Sequence, residues 1–107
     1  MSTAFSIQAK FFKGFSDSTR LAILSTLVGQ EKTVGQIVEL TDYTQSNVSN
    51  HLKCLSGCGI VKKRQEGKNI YYSLRDTKTK DILSLSQAVI SKVAPDIKSC
   101  LELEKFV

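Results

Sequence analysis

The sequence predicts a mainly helical domain of the α+β class, because three patterns follow one another along its 107 residues. Apolar residues recur with a helical period as far as Cys58, and between Ile60 and Leu74 they alternate with a period of two. A helical stripe then returns from about Thr77 to Val93. The length suits one globular core, so we expect residues 1–107 to form a single domain.

Two helices are predicted near the N-terminus. The first covers residues 3–14 with a loose apolar pattern, and the second begins after a cap at Ser16 or Asp17 and stops at Gly29. Because it is rich in apolar residues, this second helix is expected to be largely buried. These residues are Leu21, Ile23, Leu24, Leu27 and Val28.

A helix-turn-helix is predicted in the middle of the chain. Thr33 and Gln36 have the spacing of a capping box, which starts a short third helix that ends near Leu40. After a polar turn, Thr44 can cap a fourth helix that reaches Cys58. Two helices joined by so short a turn form a helix-turn-helix.

The fourth helix has one apolar and one polar face. Val48, Leu52 and Leu55 are spaced to face the core. The outward face carries amides, hydroxyls and one lysine, namely Gln45, Ser46, Asn47, Ser49, Asn50 and Lys53. Such side chains suit the major groove of DNA, where amides pair with adenine and hydroxyls contact phosphates.

The alternating segment predicts a β-hairpin whose turn lies at residues 66–69. Beside a helix-turn-helix, such a hairpin forms a wing, so the predicted fold is a winged helix-turn-helix of five helices and a β-hairpin. We expect the wing to contact DNA through its cations, which are Lys62, Lys63, Arg64 and Lys68.

The excess positive charge lies in this same part of the chain. Residues 44–75 hold six basic residues against Glu66 alone, whereas the remainder of the chain balances nine basic with nine acidic residues. The net charge of +5 is therefore confined to one segment, as expected of a surface that meets a polyanion.

The last helix is predicted to serve dimerisation. Its apolar stripe contains Ile82, Leu85, Val89 and Val93, which is more than one small core needs to cover. Part of it is therefore interpreted as a homodimer interface. Pro95 is expected to forbid a simple continuation of the helix.

Membrane and enzyme functions find no support in the sequence. No apolar run approaches the ~20 residues that cross a bilayer, and the first residues lack the layout of a secretion signal, which predicts a cytoplasmic protein without a membrane partner. His51 is the one histidine, and no phosphate-binding loop or nucleophile motif accompanies it. We therefore expect no enzymatic activity.

Three cysteines suggest a ligand. Cys54 and Cys58 lie four residues apart on one helix, so they share a face and can bind one ion, and Cys100 follows Pro95 in the tail. Thiolates select soft ions over magnesium or calcium. Two alternatives remain: the helical pair could be small core residues, or it could respond to oxidation, although a disulfide between these positions would strain the helix.

Several strings together resemble the ArsR/SmtB family of metal-responsive winged-helix repressors. They are DSTRLAIL at residues 17–24, TQSNVSNHLK at residues 44–53, GIVKKR at residues 59–64 and EGKNIYYSL at residues 66–74. Ser18 stands where that family usually has proline. The resemblance implies a homodimer that pairs through the first and last helices and binds an inverted-repeat DNA operator.

The cysteines are similar to those of the cadmium- and lead-sensing branch of the family. In that branch a cysteine of one subunit's tail joins the helical pair of the other, which here implies a metal site of Cys54, Cys58 and Cys100. Rival metal sites are not supported, because residues 33–40 contain no cysteine and the last helix no histidine. The implied function is a repressor that Cd²⁺ or Pb²⁺ releases from DNA, with Zn²⁺ as a further candidate. A redox-sensing or constitutive DNA-binding regulator is the alternative.

Overall fold

Among the described residues, five helices and a two-stranded antiparallel sheet confirm the predicted set of elements. The computed structural model describes the backbone of residues 3–104 and the side chains of residues 3–96. In chain order the elements are α1 (Thr3–Lys13), α2 (Ser18–Thr26), α3 (Val34–Thr41), α4 (Gln45–Gly57), β1 (Val61–Glu66), β2 (Asn69–Leu74) and α5 (Thr79–Glu104).

Side-chain caps fix where three of the helices begin. The side chains of Asp17 and Thr44 each accept a hydrogen bond from the backbone N–H three residues later, at 3.0 and 3.2 Å, and so start α2 and α4. Thr33 and Gln36 form the predicted capping box of α3, with bonds of 3.2 and 2.9 Å. Asp42 ends α3 in the left-handed conformation, at φ 62°. The helix-turn-helix therefore begins and turns at local signals in the sequence.

The hairpin is tied to the loop that precedes α3. Strands β1 and β2 pair from Val61 opposite Leu74 to Glu66 opposite Asn69. Across the outer side of β2, the backbone of Lys32 exchanges two hydrogen bonds with that of Tyr72, at 2.9 and 2.8 Å. This short bridge joins the wing to the loop between α2 and α3.

The core lies between α2, α3, α4 and the base of the hairpin. Partly buried side chains from α1, including Phe11, and from α5, including Leu83, pack against its edges. Its buried apolar residues are Ile23, Leu24, Leu27, Ile37, Val48, Leu52, Leu55, Ile60, Val61 and Leu74.

The second helix is less buried than the sequence predicts. Ile23, Leu24 and Leu27 are in the core, but Leu21 and Val28 are 38% and 42% exposed. The reason is that Leu21 and Val28 line an open hollow between α2 and α5, where Leu83 and Ile90 cover them only in part.

The last helix is longer than expected. It begins at the buried Thr79 and continues through Pro95 to Glu104, so the prediction that Pro95 ends it is wrong. Proline removes one backbone donor from a helix. The carbonyl oxygen that this donor would otherwise bind is that of Ser91, and because Ser91 and Pro95 are both exposed, water can satisfy it. Among the described residues, no helix is long and apolar enough to span a membrane.

Candidate nucleic-acid interface and thiol site

The second helix of the helix-turn-helix presents a polar surface. Val48, Leu52 and Leu55 are fully buried, which turns the opposite side of α4 to solvent. Of the residues that the sequence predicts to read DNA there, Ser49 is half-buried and the others are exposed: Gln45, Ser46, Asn47, Asn50 and Lys53. The predicted orientation of α4 is confirmed, and the role of these residues in binding DNA stays a prediction.

His51 joins α4 to α2. The side-chain Nε of Arg20 donates a hydrogen bond of 3.2 Å to Nδ1 of His51, in a partly buried position. Because one ring nitrogen is used in this way, His51 serves the packing of α2 against α4.

The wing divides its cations between two faces. In the strand register Lys62 and Arg64 lie opposite Ser73 and Tyr71 on one face, whereas Lys63 lies opposite Tyr72 on the other. Lys62, Lys63, Arg64 and Lys68 are all exposed, as a surface that binds phosphate requires. Of these four, Arg64 alone takes part in an ion pair within residues 3–96.

Arg64 is held by three neighbours. Its Nη2 and Nε donate to the two carboxylate oxygens of Glu31, at 2.5 and 3.2 Å, and its Nη1 donates to Glu66 at 2.8 Å. The guanidinium also stacks over the ring of Tyr71, 4.9 Å from the ring centroid. The hydrogen bond from Arg64 lowers the pKa of Glu31, and the bonds to both carboxylates raise the pKa of Arg64. Sequence reasoning missed Glu31, because no local pattern links residues 33 positions apart.

Both cysteines of α4 are exposed, so the interpretation of this pair as small core residues is wrong. Cys58 is the C-terminal cap of α4, and its N–H donates to the carbonyl of Cys54 at 3.0 Å, which keeps the two residues one helical turn apart. Cys58 also lines a hollow of about 280 Å³ whose other wall includes Ile7, Lys10 and Phe11 of α1. The two thiols are therefore open to a ligand.

The third predicted donor lies outside the described side chains. The backbone of Cys100 belongs to α5, but side chains are described only as far as residue 96. Within that part of the structure, no group of three His, Cys, Asp or Glu residues could hold a metal ion. The structure therefore supplies two of the three predicted sulfur donors.

The first and last helices leave apolar side chains uncovered. Phe5 and Ile7 of α1 are 66% and 65% exposed. Leu85 and Val89 of α5 are 65% and 59% exposed. Exposed apolar residues on neighbouring surfaces are typical of interaction sites.

Comparison with known proteins identifies the family. Residues 17–63, which run from the cap of α2 into β1, match the model of the arsR family of bacterial regulatory proteins. A probable mercury resistance operon repressor of Streptomyces lividans is 34% identical over 95 residues, which cover 89% of this chain and 76% of that protein. The chain belongs to the ArsR family.

Other members of the ArsR family and related structures agree. A cadmium resistance transcriptional regulatory protein, a CadC homolog of Staphylococcus aureus, is 38% identical over 76 residues, which cover 70% of this chain and 63% of that protein. The homodimeric winged helix-turn-helix DNA-binding domain of Mb0332 from Mycobacterium bovis, a possible ArsR-family transcriptional regulator, superposes with a TM-score of 0.77 at 26% identity. That match covers 86% of this chain and 89% of the other.

The ArsR assignment confirms two predictions. The fold is a winged helix-turn-helix, in which α3 and α4 form the helix-turn-helix and β1 and β2 form the wing. The protein is a transcriptional regulator and not an enzyme, because its family and its structural neighbours are regulators.

Proposed function

We propose that this ArsR-family protein is a cytoplasmic repressor that binds operator DNA as a homodimer and leaves it when a soft metal ion binds to Cys54, Cys58 and Cys100. Cd²⁺ and Pb²⁺ are the first candidates and Zn²⁺ a further one. The metal site would combine Cys54 and Cys58 of one subunit with a Cys100 residue near the end of α5, and residues 1–107 would act as one domain.

The exposure of both α4 cysteines carries this proposal. Two thiols one turn apart on a helix can bind one soft ion only if they are accessible, and both are. They belong to the helix whose polar side is proposed to read DNA. A ligand at this pair therefore acts directly on the orientation of that helix. The printed names of two relatives, which refer to mercury and cadmium resistance, also favour a metal effector.

DNA binding would divide between α4 and the wing. Gln45, Ser46, Asn47, Ser49 and Asn50 supply hydrogen-bonding groups for base edges and phosphates, and Lys53 adds a charge. The exposed lysines 62, 63 and 68 of the hairpin would meet the backbone, whose many charges make their contribution depend on salt.

Dimerisation would cover the apolar surfaces of α1 and α5. The radius of gyration is 15.6 Å, above the ~13 Å of a compact domain of this length, so the single chain is less compact than most domains of its size. A two-fold arrangement that pairs these helices would bury Phe5, Leu85 and Val89. It would also place two α4 helices on one DNA duplex, as an inverted-repeat operator requires.

Titration of the protein with single metal ions tests the proposed metal site. Cd²⁺, Pb²⁺, Zn²⁺ or Hg²⁺ is added to the reduced protein while ultraviolet absorption from thiolate-to-metal charge transfer is recorded. We expect an intense band for a soft ion with the wild type, a weaker one with Cys100→Ser, and none with the Cys54→Ser/Cys58→Ser variant.

A matched substitution controls for effects on the helix. Ser56→Ala changes a small side chain between the two cysteines without removing a sulfur, and it should keep the wild-type band. If the double cysteine variant binds the ion as the wild type does, the site lies elsewhere. If no ion gives a band and DNA binding is intact, the protein is a redox-sensing or a constitutive regulator.

A further inference from the structure

We propose that Arg64 is a positioning residue, which locks the wing to the loop before α3, and is not one of the phosphate contacts of the wing. Sequence reasoning groups Arg64 with the lysines of the hairpin as a DNA-binding cation. The inference rests on the proposed contact between the wing and DNA, and it changes the role of one residue within that surface.

The guanidinium of Arg64 is already occupied. It makes a two-pronged contact with the carboxylate of Glu31 and a third hydrogen bond with Glu66. Its face lies on Tyr71, the residue directly opposite in the strand register. Isolated surface ion pairs contribute little, but a forked contact within a network is the arrangement in which they do contribute.

The charge of this cluster differs from that of the surrounding wing. Glu31 and Glu66 bring two negative charges against Arg64 and the nearby Lys62, so the group has no excess positive charge. A phosphate that approached Arg64 would have to displace a carboxylate from it. Lys63 and Lys68, by contrast, make no ion pair among the described residues and are free to meet phosphate.

The ion pair and the backbone bridge join the same two segments at adjacent residues. Glu31 precedes Lys32, whose backbone pairs with that of Tyr72, and Tyr72 follows Tyr71, on which Arg64 lies. The side chains of Glu31 and Arg64 therefore extend the contact between the wing and the loop before α3 that the backbone of Lys32 makes. Without them, the hairpin would keep its turn but lose part of its attachment to the loop before α3.

The two roles predict effects of opposite sign for one substitution. If Arg64 positions the wing, Glu31→Gln breaks the two-pronged contact between Arg64 and Glu31 and weakens DNA binding. If Arg64 is a phosphate contact that Glu31 competes for, Glu31→Gln frees it and strengthens DNA binding. Arg64→Lys also separates the roles, because lysine keeps the charge but cannot form the two-pronged contact: a positioning role predicts weaker DNA binding, and a phosphate contact predicts little change.

The experiment measures affinity for one DNA duplex, selected from a random-sequence library, at several salt concentrations. We expect Glu31→Gln, Arg64→Lys and Arg64→Gln each to weaken binding on the order of three- to fivefold, as the loss of a modest ion-pair network would. The Glu31→Gln/Arg64→Gln double variant should weaken it no more than either single change. None of these variants should change the slope of log affinity against log salt concentration. Tighter DNA binding by Glu31→Gln would overturn the inference. So would a slope of log affinity against log salt concentration that is smaller in magnitude by about 0.9 for Arg64→Gln.

Two controls keep this test separate from that of the proposed function. Glu39→Gln removes an exposed carboxylate from α3, which corrects for the general effect of a lost negative charge. Lys68→Gln tests whether the wing meets DNA at all. Amide hydrogen exchange in the DNA-free protein then decides the role of Arg64 independently. Amide exchange at Lys32 and Tyr72 should be faster in both Arg64 variants and in Glu31→Gln, but unchanged in Lys68→Gln. If exchange is unchanged in all of these variants, the inference is wrong.

Discussion

At the scale of single residues, the carboxyl group of Glu31 reports the state of the wing attachment. The hydrogen bond from Arg64 holds the pKa of Glu31 below its ordinary value of 4.5, and the charge of Lys62 contributes less. A pKa that is lowered in the folded state means that the ion pair stabilises the protein above the ordinary pKa. This contribution is lost as the pH falls through the lowered value.

We predict that Arg64→Gln raises the pKa of Glu31 toward 4.5 and that Lys62→Gln raises it less. The titration of the Glu31 carboxyl carbon, followed by nuclear magnetic resonance, measures both shifts. If the pKa of Glu31 is the same in the wild type and in Arg64→Gln, the two side chains do not form a stable pair in solution.

Gly14 illustrates a second constraint at this scale. A Cβ atom at this position would lie 2.2 Å from Cδ1 of Ile60, whose side chain is fully buried. Gly14→Ala should therefore overpack the core and lower the free energy of unfolding by about 1–3 kcal/mol. Gly57→Ala is the matched control, because its Cβ meets nothing within 4 Å. Chemical denaturation at equal protein concentration compares the two, and equal stabilities would show that Ile60 moves aside without cost.

At the scale of elements, substitutions in α4 and in the wing should change DNA binding in different ways. Asn47→Ala should reduce the preference for the selected DNA over random DNA, by ~1–3 kcal/mol if Asn47 makes a good bidentate base contact. Lys68→Gln should weaken binding to both DNAs alike and flatten the salt dependence. Fluorescence anisotropy with both DNAs measures each effect. Operator preference that survives alanine at Ser46, Asn47, Ser49 and Asn50 would mean that α4 does not read the sequence.

The apolar surface of α5 gives a prediction on assembly. Leu85→Glu places a charge in the proposed dimer interface and should shift the protein toward monomer, with weaker DNA binding as a consequence. Leu40→Glu is the matched control, because Leu40 of α3 is 61% exposed and Leu85 is 65% exposed. Sedimentation at several concentrations measures the mass. A dimer that persists in Leu85→Glu would require a different interface.

What the sequence could predict follows from the range of each interaction. The caps at Asp17, Thr33 and Thr44 act over three residues, so the beginnings of the helices are local properties of the chain. The path of α5 through Pro95 was predicted wrongly, because the cost of proline depends on whether water can reach the freed carbonyl, which is a property of the folded surface.

In the candidate site too, local features are predictable from the sequence, and features that depend on the folded surface are not. The spacing of Cys54 and Cys58 predicts that they share a face of α4, but their exposure depends on what packs beside them, so spacing alone does not exclude a place in the core. The contact between Arg64 and Glu31 is not predictable from the sequence for a related reason. Glu31 lies in another loop, and only the fold brings it to the wing.

At the scale of the whole molecule, the metal site is proposed to cross the dimer. Two thiolates leave a soft cation short of donors, and Cys100, near the end of α5, is the remaining cysteine of the chain. Mixed dimers test this: one subunit carries Cys100→Ser, and the other carries Cys54→Ser and Cys58→Ser. Such a dimer should retain one complete site, and therefore about half of the wild-type three-sulfur absorption. If the band is absent in the mixed dimer but present in the wild type, the site lies within one chain.

The central claim is that metal and DNA bind to the same dimer at each other's expense. Because linkage is reciprocal, an ion that weakens DNA binding by a given factor must itself be bound more weakly by that factor when DNA is present. We expect a coupling free energy of about 1–3 kcal/mol. This coupling should require the sulfur atoms of α4.

The most direct test measures the affinity for the selected DNA by fluorescence anisotropy, with and without saturating Cd²⁺, in the wild type and in Cys54→Ser/Cys58→Ser. We predict that Cd²⁺ weakens DNA binding by the wild type about five- to 150-fold and leaves the variant unchanged. The account is contradicted if Cd²⁺ occupies the wild-type thiols, as judged by absorption, and DNA affinity stays the same.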